Sequence, residues 1–274
     1  MIFRYPGGKR RLAKQIISKF PSYDEYREPF CGGGSVFFNI PSDKKRWIND
    51  LDVDLMSVYL ALRDRPKEFI DLCRVIKPHQ QGEELTSAKD GGRKLYNKRL
   101  KAAFDYFSYN KECDQALRYF FVNRTVFAGR VVYDIPSRMY FSNPSGWNIV
   151  KTDKLEKAAE ILKDVKITTD DYKEVIEKDG DNVVIYIDPP YVVNTKLART
   201  SQLYKHSFTL DDHLLLRDIL LSCKHNLVIS YDDDKDGLIR ELYKDFNISE
   251  FNHTYCGTTC KKKKSGKELL ITNF

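Results

Sequence analysis

Five consecutive apolar residues, Val183-Val184-Ile185-Tyr186-Ile187, run straight into Asp188-Pro189-Pro190-Tyr191. No polar position interrupts the run, so it reads as a strand covered on both faces, as in a parallel sheet. The two prolines lack the N–H that a ladder needs, and they stop the strand at the carboxylate. Parallel strands require long crossovers, usually helical, which commits the chain to an α/β architecture. In such sheets ligands bind beyond the carboxyl ends of the strands, which puts Asp188 and Tyr191 at a crevice. The plain alternative is a turn that only closes a strand.

The chemistry that suits this corner is attack by an amino nitrogen. An exocyclic amine conjugated to an aromatic ring is a weak nucleophile, because its lone pair is delocalised. The Asp188 carboxylate and the Pro189 carbonyl are both acceptors. Aimed at one NH2, they draw its hydrogens out of the ring plane and stabilise the positive charge that develops on attack. Proline fixes φ, so its carbonyl is a rigid acceptor. Tyr191 offers a flat face on which a flipped base stacks.

Two further stretches point to a nucleoside ligand. Tyr26-Arg27-Glu28-Pro29-Phe30 leads as a strand into Cys31-Gly32-Gly33-Gly34-Ser35 and a short helix from Val36 to Asn39. The pattern is F-x-G-x-G, not the G-x-G-x-x-G of dinucleotide enzymes. Without side chains at Gly32 and Gly34, the backbone can approach a ligand closely. The next strand, Arg46-Trp47-Ile48-Asn49, ends in Asp50, 18 residues after Gly32. That is close to the interval of about 20 residues at which an acid binds ribose hydroxyls. A bare glycine turn is the alternative. Near the N-terminus, Pro6-Gly7-Gly8-Lys9 precedes a helix starting at Leu12. It is either an anion-facing turn or a surface turn with a solvated lysine.

These stretches together resemble one family. Asp188-Pro189-Pro190-Tyr191 after an apolar strand is similar to the signature of the Dam-type adenine-N6 DNA methyltransferases. Tyr5-Pro6-Gly7-Gly8-Lys9 resembles their Tyr/Trp-x-Gly-Gly-Lys segment, and Glu28-Pro29-Phe30-Cys31-Gly32-Gly33-Gly34-Ser35-Val36-Phe37 their S-adenosylmethionine (AdoMet) loop. The motifs follow in the family's order over nearly the whole chain. The resemblance implies a Rossmann-like, AdoMet-dependent α/β methyltransferase fold with a mixed sheet. Into it would be inserted a helical plus β-hairpin target-recognition domain. The implied catalytic residues are Asp188, Pro189 and Tyr191. Tyr5, Lys9, Phe30, Gly32, Gly34, Asp50 and Asp188 would bind AdoMet. Asp171 joins them if its carboxylate meets the cofactor adenine; a helix N-cap is the other reading of that residue. The substrate would be duplex DNA, with no metal and no cysteine nucleophile. A cognate restriction endonuclease is a partner the resemblance admits and the sequence does not reveal.

The remaining α/β alternation supports a division into two. Residues 1–60 and 150–274 read as the catalytic domain and 61–149 as the insertion. A helix from Leu51 is broken at Pro66, and helices continue to about 125. Phe120 to Tyr133, with alternating branched and aromatic residues around Ala128-Gly129, reads as a β-hairpin. The net charge of +7 is concentrated here: eleven Lys and Arg against five acids lie between Lys89 and Arg138, interleaved with aromatics. That favours a phosphate-directed segment over a merely solvated face. Asn123-Arg124 falls where the family carries an Asn-Arg pair, and Arg124 and Arg130 are the two candidate base readers, with phosphate contact the alternative for both. Family members that read GATC carry an arginine where Val132 stands here, so Arg130 puts that target in doubt.

Further on, Leu155–Leu162 reads as a helix, Val165–Thr168 as a strand, Leu210–Cys223 as a capped helix and Asn226–Ser230 as a strand. Phe246–Ile248 and Leu269–Thr272 would complete the sheet. Between them Lys261-Lys262-Lys263-Lys264 is either a solvated tip or a phosphate contact. Six cysteines lack framework spacing and are expected as free thiols. No apolar run approaches the ~18 residues that cross a bilayer, and no signal segment opens the chain, so a cytoplasmic protein without membrane contact is expected. Three rivals stay open: a methyltransferase acting on RNA or a protein amide, a cytosine-N4 enzyme, and a non-catalytic DNA-binding subunit.

Overall fold

The computed structural model describes residues 2–75 except 6, 100–126 except 109 and 111, 129, 131, 133–134, 138–139, 150–191, 208–255 except 234 and 235, and 264–274. The chain divides into two compact units. A sheet unit comprises Lys9–Leu51, Val165–Arg199 and His206–Phe274; a helical unit comprises Met1–Gly8, Asp52–Asp164 and Thr200–Lys205.

The sheet unit opens with α1 (Ala13–Ile17), β1 (Glu25–Glu28), a 3-10 turn at Phe37–Asn39 and β2 (Lys45–Asn49). It resumes with β5 (Lys166–Thr168), α7 (Tyr172–Glu177), β6 (Val183–Ile187), α8 (Leu210–Ser222) and β7 (Asn226–Asp232). It closes with α9 (Leu238–Leu242), β8 (Asn247–Tyr255) and β9 (Lys264–Thr272). The seven strands lie in the order β5-β2-β1-β6-β7-β9-β8. The first five pair in parallel, and β9 runs antiparallel to both β7 and β8. Every residue of β6 is buried, as its unbroken apolar run requires. One core face is built from Ile185, Ile187, Leu227, Ile229, Leu269 and Ile271 against Leu216 and Leu220 of α8. α8 starts with a capping box between Thr209 and Asp212.

The helical unit holds α2 (Val53–Asp64), α3 (Pro66–Val75), α4 (helical from 100 to 108 among the described residues), α5 (Gln115–Thr125), β3 (Tyr133–Asp134), β4 (Arg138–Met139) and α6 (Thr152–Leu162). Pro66 ends α2 as expected and also begins α3, since a proline's missing N–H is no loss in a first helical turn. Leu55, Tyr59 and Leu62 of α2 are buried with Phe69 of α3 and Phe120 and Phe121 of α5. The Phe3 ring meets Tyr59 at 5.1 Å.

The expected hairpin over 120–133 is corrected by this unit. Residues up to Thr125 are helical, with Asp114 capping α5 through Leu117 N–H at 2.8 Å. Nearly every side chain of α5 is buried, so the helix shows no polar face and its aromatic and branched residues imitate a strand. An antiparallel pair does occur later, where Tyr133 faces Met139 and Asp134 faces Arg138. Among the described residues no helix is long and apolar enough to cross a membrane. Cys31, Cys73, Cys113 and Cys223 are free, as expected; Cys256 and Cys260 lie outside the described residues.

Candidate active site

The strand order places β1 beside β6, and the connections that leave them, β1 to β2 and β6 to β7, run to opposite sides. That is a topological switch point, where a crevice opens at the carboxyl ends of the strands. The segments leaving β1 and β6 there are Pro29–Ser35 and Asp188–Tyr191.

The glycine turn is held from below. Cys31 N–H donates to the Asn49 carbonyl and Gly34 N–H to the Cys31 carbonyl, both at 2.8 Å. Gly32 and Gly34 take φ of +48° and +65°, a region that side-chain-bearing residues rarely adopt. Asp50 accepts from Gly32 N–H at 2.8 Å, fixing its carboxylate at the mouth of the turn. Two residues that sequence reasoning left without a role brace this arrangement. Asn49 donates to the Pro29 and Asp170 carbonyls at 3.1 and 2.9 Å and accepts from Asp170 N–H at 2.8 Å, tying the ends of β1, β2 and β5 together. Glu28 is buried and accepts from Tyr26 O–H at 2.6 Å and Phe37 N–H at 3.1 Å. Burial pushes its carboxyl well above the ordinary range, against the pull of the Tyr26 hydrogen bond; repulsion from Asp188 and Asp50 adds to the rise.

The other half of the crevice is a charged cluster. Lys9 Nζ lies 2.9 Å from Asp188 Oδ1 and 3.2 Å from Glu268 Oε1. Lys9 also donates to the Tyr191 hydroxyl, which in turn donates to Glu268 Oε1 at 2.8 Å. Lys9 and Glu268 are 5% and 3% exposed, whereas Asp188 is 22% exposed. Burial alone would lower the Lys9 pKa, but the two carboxylates outweigh it and hold the ammonium charged. Burial raises Asp188 above the usual carboxylate range, with the Lys9 charge offsetting only part. Burial also pushes Glu268 up to about 7, Lys9 opposing and Asp188 adding to the rise. The Tyr191 ring lies 5.9 Å from Tyr231 and 4.6 Å below the Lys9 ammonium. Among the described residues no hydrogen bond occupies the Pro189 carbonyl.

An aromatic wall adjoins the turn. Phe30 stacks on Tyr172 at 5.2 Å, and the Phe208 ring meets Phe30 edge-on at 5.8 Å. Asp171, expected either at the cofactor or as a cap, accepts from Lys173 N–H at 3.0 Å as the N-cap of α7. A turn without Cβ atoms, a carboxylate beside it and a flat apolar wall are what a nucleoside-bearing cofactor asks of its pocket. Gly32–Gly34, Asp50 and Phe30–Tyr172 therefore fit AdoMet on chemistry.

Of the expected DNA-binding residues, Asn123 and Arg124 are among the described residues. Asn123 is fully buried in α5; its Oδ1 accepts from Arg4 N–H at 3.1 Å, and its Nδ2 donates to the carbonyls of Arg4 at 2.8 Å and Gly129 at 3.3 Å. Arg124 is half-buried, and burial lowers its pKa to about 10, with the Arg4 charge adding. Tyr5 lies in the helical unit, where its carbonyl accepts from Gly8 N–H at 3.4 Å. Arg130, Lys261 and Lys262 lie outside the described residues.

Residues 5–256 match the family described as D12 class N6 adenine-specific DNA methyltransferase. The chain is 30% identical over 300 residues to Type II methyltransferase M.MjaIII of Methanocaldococcus jannaschii, spanning 99% of this chain and 98% of that protein. It is 28% identical over 281 residues to Type II methyltransferase M1.LlaDCHI of Lactococcus lactis subsp. cremoris, spanning 99% and 94%. To the DNA adenine methylase of Escherichia coli (strain K12) it is 25% identical over 227 residues, spanning 79% and 73%.

Proposed function

The chain belongs to the D12 class of N6 adenine-specific DNA methyltransferases, and from that premise we propose that it takes its methyl group from AdoMet and delivers it at the corner formed by Asp188 and Pro189. The observation that carries this reading is the placement of Asp188. One oxygen is committed to Lys9 at 2.9 Å, and the side chain is still partly open at the switch point, beside a glycine turn braced by Asp50. When bound, AdoMet supplies a methyl group on a sulfonium sulfur that departs with the bonding electron pair.

The protein's own part is to bind, orient and polarise. Gly32–Gly34 would admit the nucleoside close to the backbone, Asp50 would take its hydroxyls, and the Phe30–Tyr172 pair would cover its base. An adenine flipped from the duplex presents its N6 amine to Asp188 and to the Pro189 carbonyl. Both hydrogens are then held, so the nitrogen lone pair is freed from the ring for attack, and the proton made surplus by the attack passes to water. The Lys9 charge offsets part of the rise that burial imposes on the Asp188 pKa. The test is incubation with labelled AdoMet and unmethylated duplex DNA, followed by nucleoside mass spectrometry. Label in N6-methyldeoxyadenosine is expected; label in N4-methylcytosine, in RNA or in protein would overturn the reading.

Target recognition is assigned to the insertion 61–149, with Arg124 and Arg130 as base or phosphate contacts and Lys261 and Lys262 as phosphate contacts. The concentration of positive charge there supports this. Two relatives carry the name Type II methyltransferase, which favours a role in protecting DNA from an endonuclease of matching site. Mapping methylated adenines in DNA from cells expressing the chain reads that site directly. Methylation without sequence preference would count against it.

A further inference from the structure

We propose that Glu268 is a positioning residue for methyl transfer, holding the Lys9 ammonium and the Tyr191 hydroxyl so that Asp188 keeps one oxygen for the substrate amine. The inference rests on the reading of Asp188 as the amine acceptor. Glu268 enters from β9, opposite Asp232 of β7 in the antiparallel register. It is nearly inaccessible, so its carboxylate must be answered by groups of the protein itself. Those groups are Lys9 at 3.2 Å and the Tyr191 hydroxyl at 2.8 Å.

Consider the cluster without it. A lysine ammonium has three donors, and in a poorly solvated site a single carboxylate partner would draw all of its charge. Asp188 would then face Lys9 alone and would be a weaker acceptor for an incoming N–H. A second carboxylate divides the ammonium, which reaches Asp188 through Oδ1, and it competes with Asp188 for the Tyr191 hydroxyl, which lies within hydrogen-bond reach of both. Tyr191 would also lose its Glu268 acceptor, leaving its hydroxyl to Asp188, and with it the contact that sets the direction of its ring. Small misplacements of groups at a reacting centre cost about 10²-fold in rate, so a residue without substrate contact can still govern turnover.

The arrangement has a charge signature. The ionisable groups facing Glu268 are Lys9, Asp188, Tyr191 and Asp232. Burial pushes its titration up to about 7, and below that pH a protonated Glu268 keeps an acceptor oxygen but loses the charge that draws the Lys9 ammonium away from Asp188. Glu268→Gln mimics that state, retaining volume and acceptor oxygen while removing charge. The measurement is the single-turnover methylation rate against pH, alongside AdoMet and DNA affinities. In the wild type the rate should climb through a group near 7. In Glu268→Gln it should be lower by about 10- to 100-fold, the usual cost of removing a partner that orients a reacting ligand. The limb near 7 should vanish, and both affinities should stay within about twofold. Glu268→Asp, which restores the charge at shorter reach, should recover part of the rate and a shifted limb, and it carries the test if the glutamine variant does not fold. A wild-type rate and unchanged limb in Glu268→Gln would overturn the inference, as would a loss confined to stability or affinity. Asp188→Ala run in parallel separates the two readings. If it stays active, the acceptor role itself fails; if it is dead while Glu268→Gln is unaffected, only the role of Glu268 fails.

Discussion

At the end of β6 the Asp188 carboxylate gives one oxygen to Lys9 and remains 22% exposed. In the last turn of α5 the Asn123 amide is fully buried and engages Arg4 and Gly129 through both of its polar atoms. Both are polar residues beside a family-like partner, Pro189 in one case and Arg124 in the other. The difference lies in what surrounds them. Past the last rung of a parallel strand the ladder has ended, and a carboxylate there has lone pairs that no neighbouring backbone claims. Inside a helix buried on nearly all sides, an amide without partners would cost about 1–3 kcal/mol per unsatisfied group, so the chain supplies partners from the nearest irregular backbone. Gly129 shows how close that backbone lies. Its φ is +72°, and a Cβ built there would fall 1.9 Å from the Arg4 carbonyl oxygen.

Three substitutions break or sharpen this contrast, the largest effect first. Asp188→Ala should lower the methylation rate by about 10²–10³-fold or more, the scale of losing one preorganised partner of developing charge. Its melting temperature and DNA affinity should change little; near-wild-type turnover would remove Asp188 from the chemistry. Asn123→Ala should show the opposite profile. Two backbone carbonyls and one N–H lose their partner, and a stability loss of about 3 kcal/mol is expected by denaturant titration. The fraction that stays folded should turn over normally. A stable Asn123→Ala protein with weakened DNA binding would instead put the amide at a DNA surface. Asp50→Ala lies between the two, because this carboxylate both braces Gly32 and faces the turn. AdoMet affinity should fall by about 1.5–3 kcal/mol, the range for a hydrogen bond to a charged group. Calorimetry that finds normal affinity would reduce Asp50 to a brace.

Much of the candidate site was legible in residues alone. Asp188 at a strand end, the F-x-G-x-G turn and Asp50 all depend on local order: an apolar run, a breaker and a short spacing. Their mutual placement then follows from parallel α/β topology. Less legible was anything whose signal is burial. The second half of α5, from Phe120, reads as the start of a hairpin because a helix buried all round has no amphipathic period. Glu28 and Asn49 sit in strands where one polar residue looks incidental, and each braces the site through backbone atoms far away in sequence. Glu268 was hidden for a different reason: β7 extends to Asp232 and β9 begins at Lys264, both beyond the apolar cores that announce them. Longer pairing is what carries the carboxylate to Lys9.

The sequence by itself determined that a buried parallel strand ends in a carboxylate followed by rigid prolines, and that a glycine turn with a spaced acid precedes it. Those are consequences of β-preference, missing N–H groups and missing Cβ atoms, which act over a few residues. Only the tertiary structure decided that Lys9, from the first turn of the sheet unit, is shared between Asp188 and a glutamate from the last strand. It also decided that Asn123 faces inward. Such pairings are set by which elements pack together and by the cost of leaving a buried polar atom without a partner, and neither quantity is a property of any short stretch of chain.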